Sequence, residues 1–578
     1  MPGTDTSEIG ATPHDSLLQR LNQRLTALRS ERSTWVTHWQ ELSDNIFPRR
    51  FRYLQTDRNK GTKRNDKIIN NKPTIAVRIL AAGMMAGLTS PARPWFRLTL
   101  SNPLLADDDD VKEWLAHAEK VLFETFAKSN LYNCLHEVYG IEATFATAVL
   151  YIEEDEEDDV RGYVFPVGQF MLAASASQRV DTMYREFSMT AAQMVENFGI
   201  KNVSTTVQLA YRENRKDQWF EVAHAIEPNR GRDTGKLDGK NKPWRSVWWE
   251  KSASSLENKF LRQSGFEEFP VMVGRWFVTG EDVYGSGSPG MDGLGDCKAL
   301  QILERRKAQA MDKIINPPMN APASMKSTRL TLLPGDTNYV PDGQQGVVKP
   351  AIDVHPESVR EARESIKEHE SRISDTFFAS LFLMMLNNND GVQPKTAREI
   401  NERHEEKMLQ LGPTIERNED ELLDPMINRV ANIQMRRGRI RPPPPQLHGQ
   451  RVKVEYISIM AQAQKLLGTA STERLTSFVG SLSAVNKDVL DILNFDKIVI
   501  EYAKMLGVPP DMINPQKVIA QIRAQRQQAQ AQQAAMQQAT QGAQAAKAAS
   551  EAELDKGSLL DRMMAGTGMA PPGSGSRA

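Results

Sequence analysis

Three groups of residues in this chain have types and spacing that chemistry could use. Tyr284-Gly285-Ser286-Gly287-Ser288-Pro289-Gly290 is a glycine-rich turn running into helically spaced apolar residues. Such a turn is one setting in which backbone N–H groups cradle phosphate. Two acidic runs, Asp107 to Asp110 and Glu153 to Asp159, carry the hard oxygen ligands that divalent cations take. His404-Glu405-Glu406 begins like a zinc-protease helix.

Each group has a plainer reading. The three glycines are not spaced as a phosphate loop and no lysine follows them, so a turn opening a helix is sufficient. Gly235-Lys236 and Gly239-Lys240 likewise lack the remainder of such a loop. Asp107 to Asp110 precede Val111, Trp114, Leu115, Ala118, Leu122 and Phe126 at helical spacing, and acids at a helix start complement its dipole. Four adjacent aspartates cannot all face one ion. Glu153 to Asp159 separate two strand-like pieces, Ala148 to Ile152 and Val160 to Phe165, and read as a solvated hairpin tip. His404-Glu405-Glu406 lacks the second histidine, and no two of the nine histidines stand four apart. No strand–G-x-S-x-G–helix context points to a hydrolase. The reading is of a non-enzymatic chain without metal or cofactor.

Bulk properties narrow the class. At 578 residues the chain is too long for one core, and length suggests roughly three or four structural units. A net charge of −1 argues against a protein that coats nucleic acid by wholesale phosphate neutralisation. Cys134 and Cys297 cannot form a disulfide framework and make a poor metal site, so assembly in a reducing cytosol is expected. The N-terminal residues have no apolar signal core. The longest apolar stretches, Ile79 to Leu88 and Phe377 to Leu386, are half what a membrane span needs.

The elements that would position these groups are mostly helices. Leu17, Leu18, Leu21, Leu25 and Leu28, then Trp35 and Trp39, mark one face of a helix that starts at Ser16 and ends before Pro48. Pro73 to Leu88 reads as a second helix, with Ala81, Ala82, Gly83, Ala86 and Gly87 allowing close packing. Residues 160–280 are rich in short strand-like runs and tryptophan, with a turn-rich surface loop at Lys236 to Lys242. After the glycine turn a long helix carries Leu294, Cys297, Leu300, Leu303, Met311 and Ile314, and Asn316-Pro317-Pro318 stops it. A Pro/Gly-rich stretch follows, with strand-like pieces at Arg329 to Leu333 and Gly346 to Lys349. A second long helix runs from Pro356 to Leu386, on Val359, Ala362, Ile366, Ile373, Phe377 and Leu381. Polar Asn387, Asn388, Asn389, Asp390, Gly391, Val392, Gln393 and Pro394 form a loop, and Thr396 and Glu399 make a capping box for a third helix. That helix runs past a break at Gly412-Pro413 toward Arg437, followed by a stiff Pro442 to Pro445 linker and a strand-like Val452 to Ile457. Pro515 to about Leu554 is Gln/Ala-rich, a marginal helix alone or one of several copies in a bundle.

The order long helix, Pro/Gly-rich insert, long antiparallel helix, polar loop, capped helix resembles the portal (head-to-tail connecting) proteins of short-tailed, podovirus-type bacteriophages. Matching text includes Trp35, Trp39 and Phe47-Pro48-Arg49; Pro73 with Ala82-Gly83-Met84-Met85-Ala86-Gly87-Leu88-Thr89-Ser90-Pro91; and Pro94-Trp95-Phe96. It also includes the glycine turn at 284–290 and Thr396-Ala397-Arg398-Glu399-Ile400 with Arg403. The resemblance spans roughly residues 15 to 500.

The resemblance implies an α+β, predominantly helical ring subunit with wing, stem, clip, crown and C-terminal helical barrel. Residues 1–15 would be a disordered N-terminus, 16–289 the wing, 290–316 the first stem helix, 317–355 the clip and 356–386 the second stem helix. Residues 387–395 would be the tunnel loop, 396–449 a long wing helix and linker, 450–514 the crown, 515–556 the barrel helix and 557–578 a disordered tail. The assembly implied is a dodecamer at one capsid vertex of the virion, assembled in the host cytoplasm, through which double-stranded DNA is packaged and ejected. Its partners would be the major capsid protein, the terminase large subunit, tail adaptor and nozzle proteins, and scaffold and internal core proteins, with no membrane.

Asn387 to Pro394 would face DNA without Lys or Arg, which suits low-friction contact. Arg305, Arg306, Lys313, Arg360 and Arg363 are the candidate channel cations, the competing role for each being an ion pair between subunits. Pro317, Pro318, Lys326, Arg329, Asp336 and Lys349 would contact terminase or adaptor from the clip. The rival reading of another class is a helical oligomeric scaffold that has no DNA channel.

Overall fold

A computed structural model describes residues 15–50, 64–100, 108–251, 260–320, 349–350, 355–386, 410–447, 450, 452–458, 478–479, 498–499 and 516–565. Helix α1 (Asp15–Asn45) serves two cores, because its leucines and tryptophans recur at three and four residues. Leu21, Leu25 and Leu28 pack on Met171, Tyr184, Ala223, Val247 and Trp249, whereas Trp39 and Leu42 join the main core. In that main core, α2 (Lys72–Leu88) and α4 (Leu131–Phe145) pack together, their small residues allowing close approach. Helix α3 (Asp109–Lys128) begins as the acidic run suggests: Asp108 caps it, accepting from the Asp110 and Val111 N–H groups.

Strands β2 (Thr147–Asp155) and β3 (Asp159–Phe165) form the expected hairpin, and β9 (Val271–Arg275) pairs on the other side of β2. A second sheet of β4 (Phe170–Ala174), β5 (Val180–Thr190), β6 (Trp219–Pro228), β7 (Trp244–Glu250) and β8 (Phe260–Phe266) is antiparallel in chain order. Two short helices, α5 (Ala191–Phe198) and α6 (Thr205–Arg212), pack on one of its faces. Strand β1 (Phe96–Leu100) pairs with β12 (Val452–Tyr456), so residues 452–456 lie with the region at 16–289. The mixture of helix and strand is the expected α+β class.

The glycine turn is a packing device. A Cβ on Gly285 would stand 2.1 Å from the Ala146 carbonyl oxygen, and one on Gly290 2.4 Å from that of Thr144. Glycine is needed there because backbone meets backbone at the end of α4. Ser288 caps the turn into α7 (Leu294–Ile315).

Several sequence expectations are corrected. The chain divides into two units, 1–470 and 471–578, where length suggested three or four. The helix predicted over Pro356 to Leu386 is two, α8 (Pro356–Thr376) and α9 (Ala379–Leu386), broken where Phe378 has φ +53. The left-handed conformation is unfavourable for a bulky residue. Burial of Phe377 and Phe382 accompanies it, and the Phe382 ring lies where any Cβ on Gly83 of α2 would have to be. No break occurs at Gly412-Pro413. Residues 410–436 are helical throughout, with a π turn at Glu419–Leu423 leading into α10 (Asp424–Arg436). Leu411 and Ile415 on either side are buried in the core. In the second unit, helix α11 (Gln516–Ala565) extends through residues 557–565, expected to be disordered, where Leu, Met and Ala are strong helix formers.

Candidate functional site

The two long helices after the glycine turn lie antiparallel. Gly293 sits against Thr376 and Phe377, Asp296 bonds His369 at 2.9 Å, and further along β10 (Met319–Asn320) pairs with β11 (Lys349–Pro350). Their near halves are locked to the segments that carry Glu41, Ile69 and Asn70. Gln301 accepts from the Ile69 and Asn70 N–H groups at 2.7 and 2.8 Å and donates to the Asn70 carbonyl at 2.9 Å. The Asn70 side chain then donates to Glu304 on α7 and Glu370 on α8, at 3.1 and 2.8 Å. Lys298 adds an ion pair to Glu41 of α1.

The distal halves are different. Leu294, Cys297 and Leu300 are buried, but Met311, Ile314 and Ile315, which continue that side of α7, are exposed, Ile315 by 77%. On the other side Ile302, Arg305, Arg306 and Lys313 fall within an arc of about 100° at helical spacing. Arg305, Arg306, Lys313 and Arg363 are exposed and make no ion pair among the described residues. Arg360 is the exception, pairing with Glu357 one turn earlier. By the antiparallel register, Arg305 and Arg306 lie level with Arg363 of α8.

Of the residues expected in a clip, Pro317 is half-buried, Pro318 is exposed and Lys349 lies in β11, while Lys326, Arg329 and Asp336 fall outside the described residues. So do Asn387 to Pro394 and the Thr396–Glu399 capping box.

A second basic cluster, Arg436, Arg437 and Arg439, was not singled out from the sequence. Here every guanidinium is engaged. Arg436 bonds Glu154 and Glu268 at 2.7 Å each, while Arg437 and Arg439 pair with Asp159 at 2.8 and 2.7 Å. The acidic hairpin is therefore solvated only in part. Glu156 and Glu157 are exposed in the turn, but Asp159 beside it is buried, because an arginine-rich helix end packs against the strand ends that flank the turn. Opposite runs of charge were visible in the sequence; nothing in it joined two segments about 280 residues apart.

Burial pushes the Cys134 thiol up to about 11 and the Cys297 thiol up to about 12, so both stay protonated and unreactive. Among the described residues no cluster of His, Cys, Asp or Glu could hold a metal ion. None of the described helices is long and apolar enough to cross a membrane.

Comparison with known proteins agrees with the family resemblance. The family model of the bacteriophage head to tail connecting protein matches residues 18–513. The portal protein of Salmonella phage epsilon15 is 44% identical over 94% of this chain and 97% of its own length. The probable portal protein of Bordetella phage BPP-1 is 41% identical over 95% of this chain and 97% of its own. From these matches, the chain belongs to the family of bacteriophage head to tail connecting proteins.

Proposed function

We propose that the chain is the portal subunit of a phage virion, a non-enzymatic protein that assembles as a dodecameric ring at one capsid vertex. Double-stranded DNA passes through the ring's channel during packaging and again during ejection. The single observation that supports this most is the bare distal half of the α7–α8 pair. It combines an apolar face (Met311, Ile314, Ile315) that is uncovered among the described residues with cations (Arg305, Arg306, Lys313, Arg363) that make no ion pair among them. In a ring the apolar side packs against a neighbouring copy. The cations then repeat around the channel, each too weakly engaged to hold a moving duplex.

On this reading the pair is the stem and residues 317–355 are the clip. The clip receives the terminase large subunit during packaging, then the tail adaptor and nozzle proteins. The wing at 16–289 meets the major capsid protein, with scaffold and internal core proteins as further partners during assembly. Residues 387–395 form the tunnel loop, 450–514 the crown, and the α11 helices of all copies a barrel. At about 75 Å, α11 is exposed along its described side chains from 520 through residue 544, with Ile519 half-buried. A helix with so little large apolar surface gains most from neighbouring copies.

Mass measurement and negative-stain imaging of the purified protein test the proposal. A closed ring of about twelve copies, with a central hole wide enough for duplex DNA, supports it. A small closed dimer would sink it and favour a scaffold without a channel. Shortening Asn387–Gln393 should leave rings intact yet impair packaging or retention of DNA.

A further inference from the structure

Two oxygens in the middle of the wing lack what they need. Glu142 on α4 and Asn418, just before the π turn, are both fully buried. The Asn418 amide nitrogen donates to Glu142 Oε1 at 2.8 Å and to the Thr414 carbonyl at 3.2 Å. Glu142 Oε2 and Asn418 Oδ1 have no hydrogen-bond partner among the described residues. Both crowd the same side of β9: a Cβ on Gly274 would stand 3.0 Å from Oε2 and 3.6 Å from Oδ1. Two acceptors cannot satisfy each other, and leaving both unmade in the interior is costly. A single proton removes both deficits.

We propose that Glu142 is a neutral carboxylic acid, donating from Oε2 to Asn418 Oδ1, and that the resulting two-bond acid–amide ring is a pH-sensitive latch on the π turn. The surroundings favour this form. Burial pushes the Glu142 carboxyl up to about 8; the Asn418 hydrogen bond and Arg417 oppose the rise, and Glu421 adds to it. Glu421 is held by Arg275 of β9, at 2.6 and 2.8 Å, and by Arg417 at 3.1 Å, so neither arginine is left to Glu142 alone. On its own helix, Tyr139 faces both Glu142 and Glu419 and bonds Thr89 of α2. Tyr456 of β12 bonds Asp424 beyond the turn, and Asp292 lies in the short turn packed on α4.

A π turn holds one residue more than an α turn and is found where a helix's register is under local control. Here the residue entering it is held by Glu142. When the turn opens, Glu142 reaches water and returns to its ordinary value of 4.5. The latch therefore contributes fully below that pH and is lost as pH rises toward about 8. Between those limits the closed-to-open ratio falls tenfold per pH unit.

Hydrogen exchange of the full-length protein tests this, read on peptides from 410–436 and corrected for intrinsic exchange. In the wild type, protection should fall by up to tenfold per unit from pH 5 to 8. In Glu142→Gln, whose amide makes the same two bonds without a titrating proton, protection should stay flat. Infrared spectra at pH 6 should show a buried protonated-carboxyl stretch that Glu142→Gln lacks. Should that variant not fold, Asn418→Leu serves instead, and the stretch should move to higher frequency as its hydrogen bond is lost. Equal pH profiles in wild type and Glu142→Gln, or no protonated-carboxyl band, would mean an ionised Glu142 and overturn the latch.

Discussion

Arg436, Arg437 and Arg439 on one side, and Arg305, Arg306 and Arg363 on the other, sit in comparably charged stretches of sequence. In the structure they are opposites. The first three close on Glu154, Glu268 and Asp159, one of them a buried carboxylate, and so fasten α10 to the β2–β3 hairpin. The last three stand in solvent on α7 and α8, with no carboxylate engaged among the described residues. The difference teaches where this protein uses charge for itself and where it leaves charge for something else. A paired, partly buried arginine is part of the fold, because removing its partner strands a desolvated ion. An exposed, unpaired one contributes little to stability and is free to meet phosphate or a neighbouring copy.

Substitutions can break that contrast, and the largest expected effect is at the β2–β3 hairpin. Asp159→Ala removes the carboxylate shared by Arg437 and Arg439. It should cost about 3 kcal/mol, the low end for a broken buried pair because the arginines reach solvent. Denaturant unfolding of the purified protein measures it; a loss under about 1 kcal/mol would put this cluster with ordinary surface pairs. Gln301→Ala tests the border between the two regions. It strands the Ile69 and Asn70 N–H groups and should cost about 2 kcal/mol, while raising hydrogen exchange at the base of α7. The smallest stability effect should come from α7 and α8. Replacing Arg305, Arg306 and Arg363 by Gln should shift stability by no more than about 0.5 kcal/mol, yet lower the amount of DNA packaged per particle. Destabilisation as large as that of Asp159→Ala would show that these α7 and α8 cations are structural after all.

The same contrast explains what could be read from sequence. Features set within a few turns of chain were legible. The leucines of α1, the Asp108 cap, the β2–β3 hairpin and the glycine turn before α7 all follow from local spacing. Features made by distant segments were not. The reason for Gly285 and Gly290 is the backbone at the end of α4, about 145 residues earlier in the chain. The break at Phe378 answers to packing of α9 on α2, which overrode an apolar pattern fit for one continuous helix. Glu142 and Asn418 meet across 276 residues, and nothing near either marks a buried acid. For the site, the candidate cations of α7 and α8 were visible as residues; that all but Arg360 make no ion pair among the described residues, which is what distinguishes them, was visible only in three dimensions.

Site-specific photocrosslinking in DNA-filled particles tests the contrast most directly. A photoreactive residue at position 306 of α7 should crosslink to packaged DNA, whereas one at position 437, beside the acidic hairpin, should crosslink only to protein. DNA adducts at 437 and none at 306 would contradict the proposal that the exposed basic face of α7 lines a DNA channel.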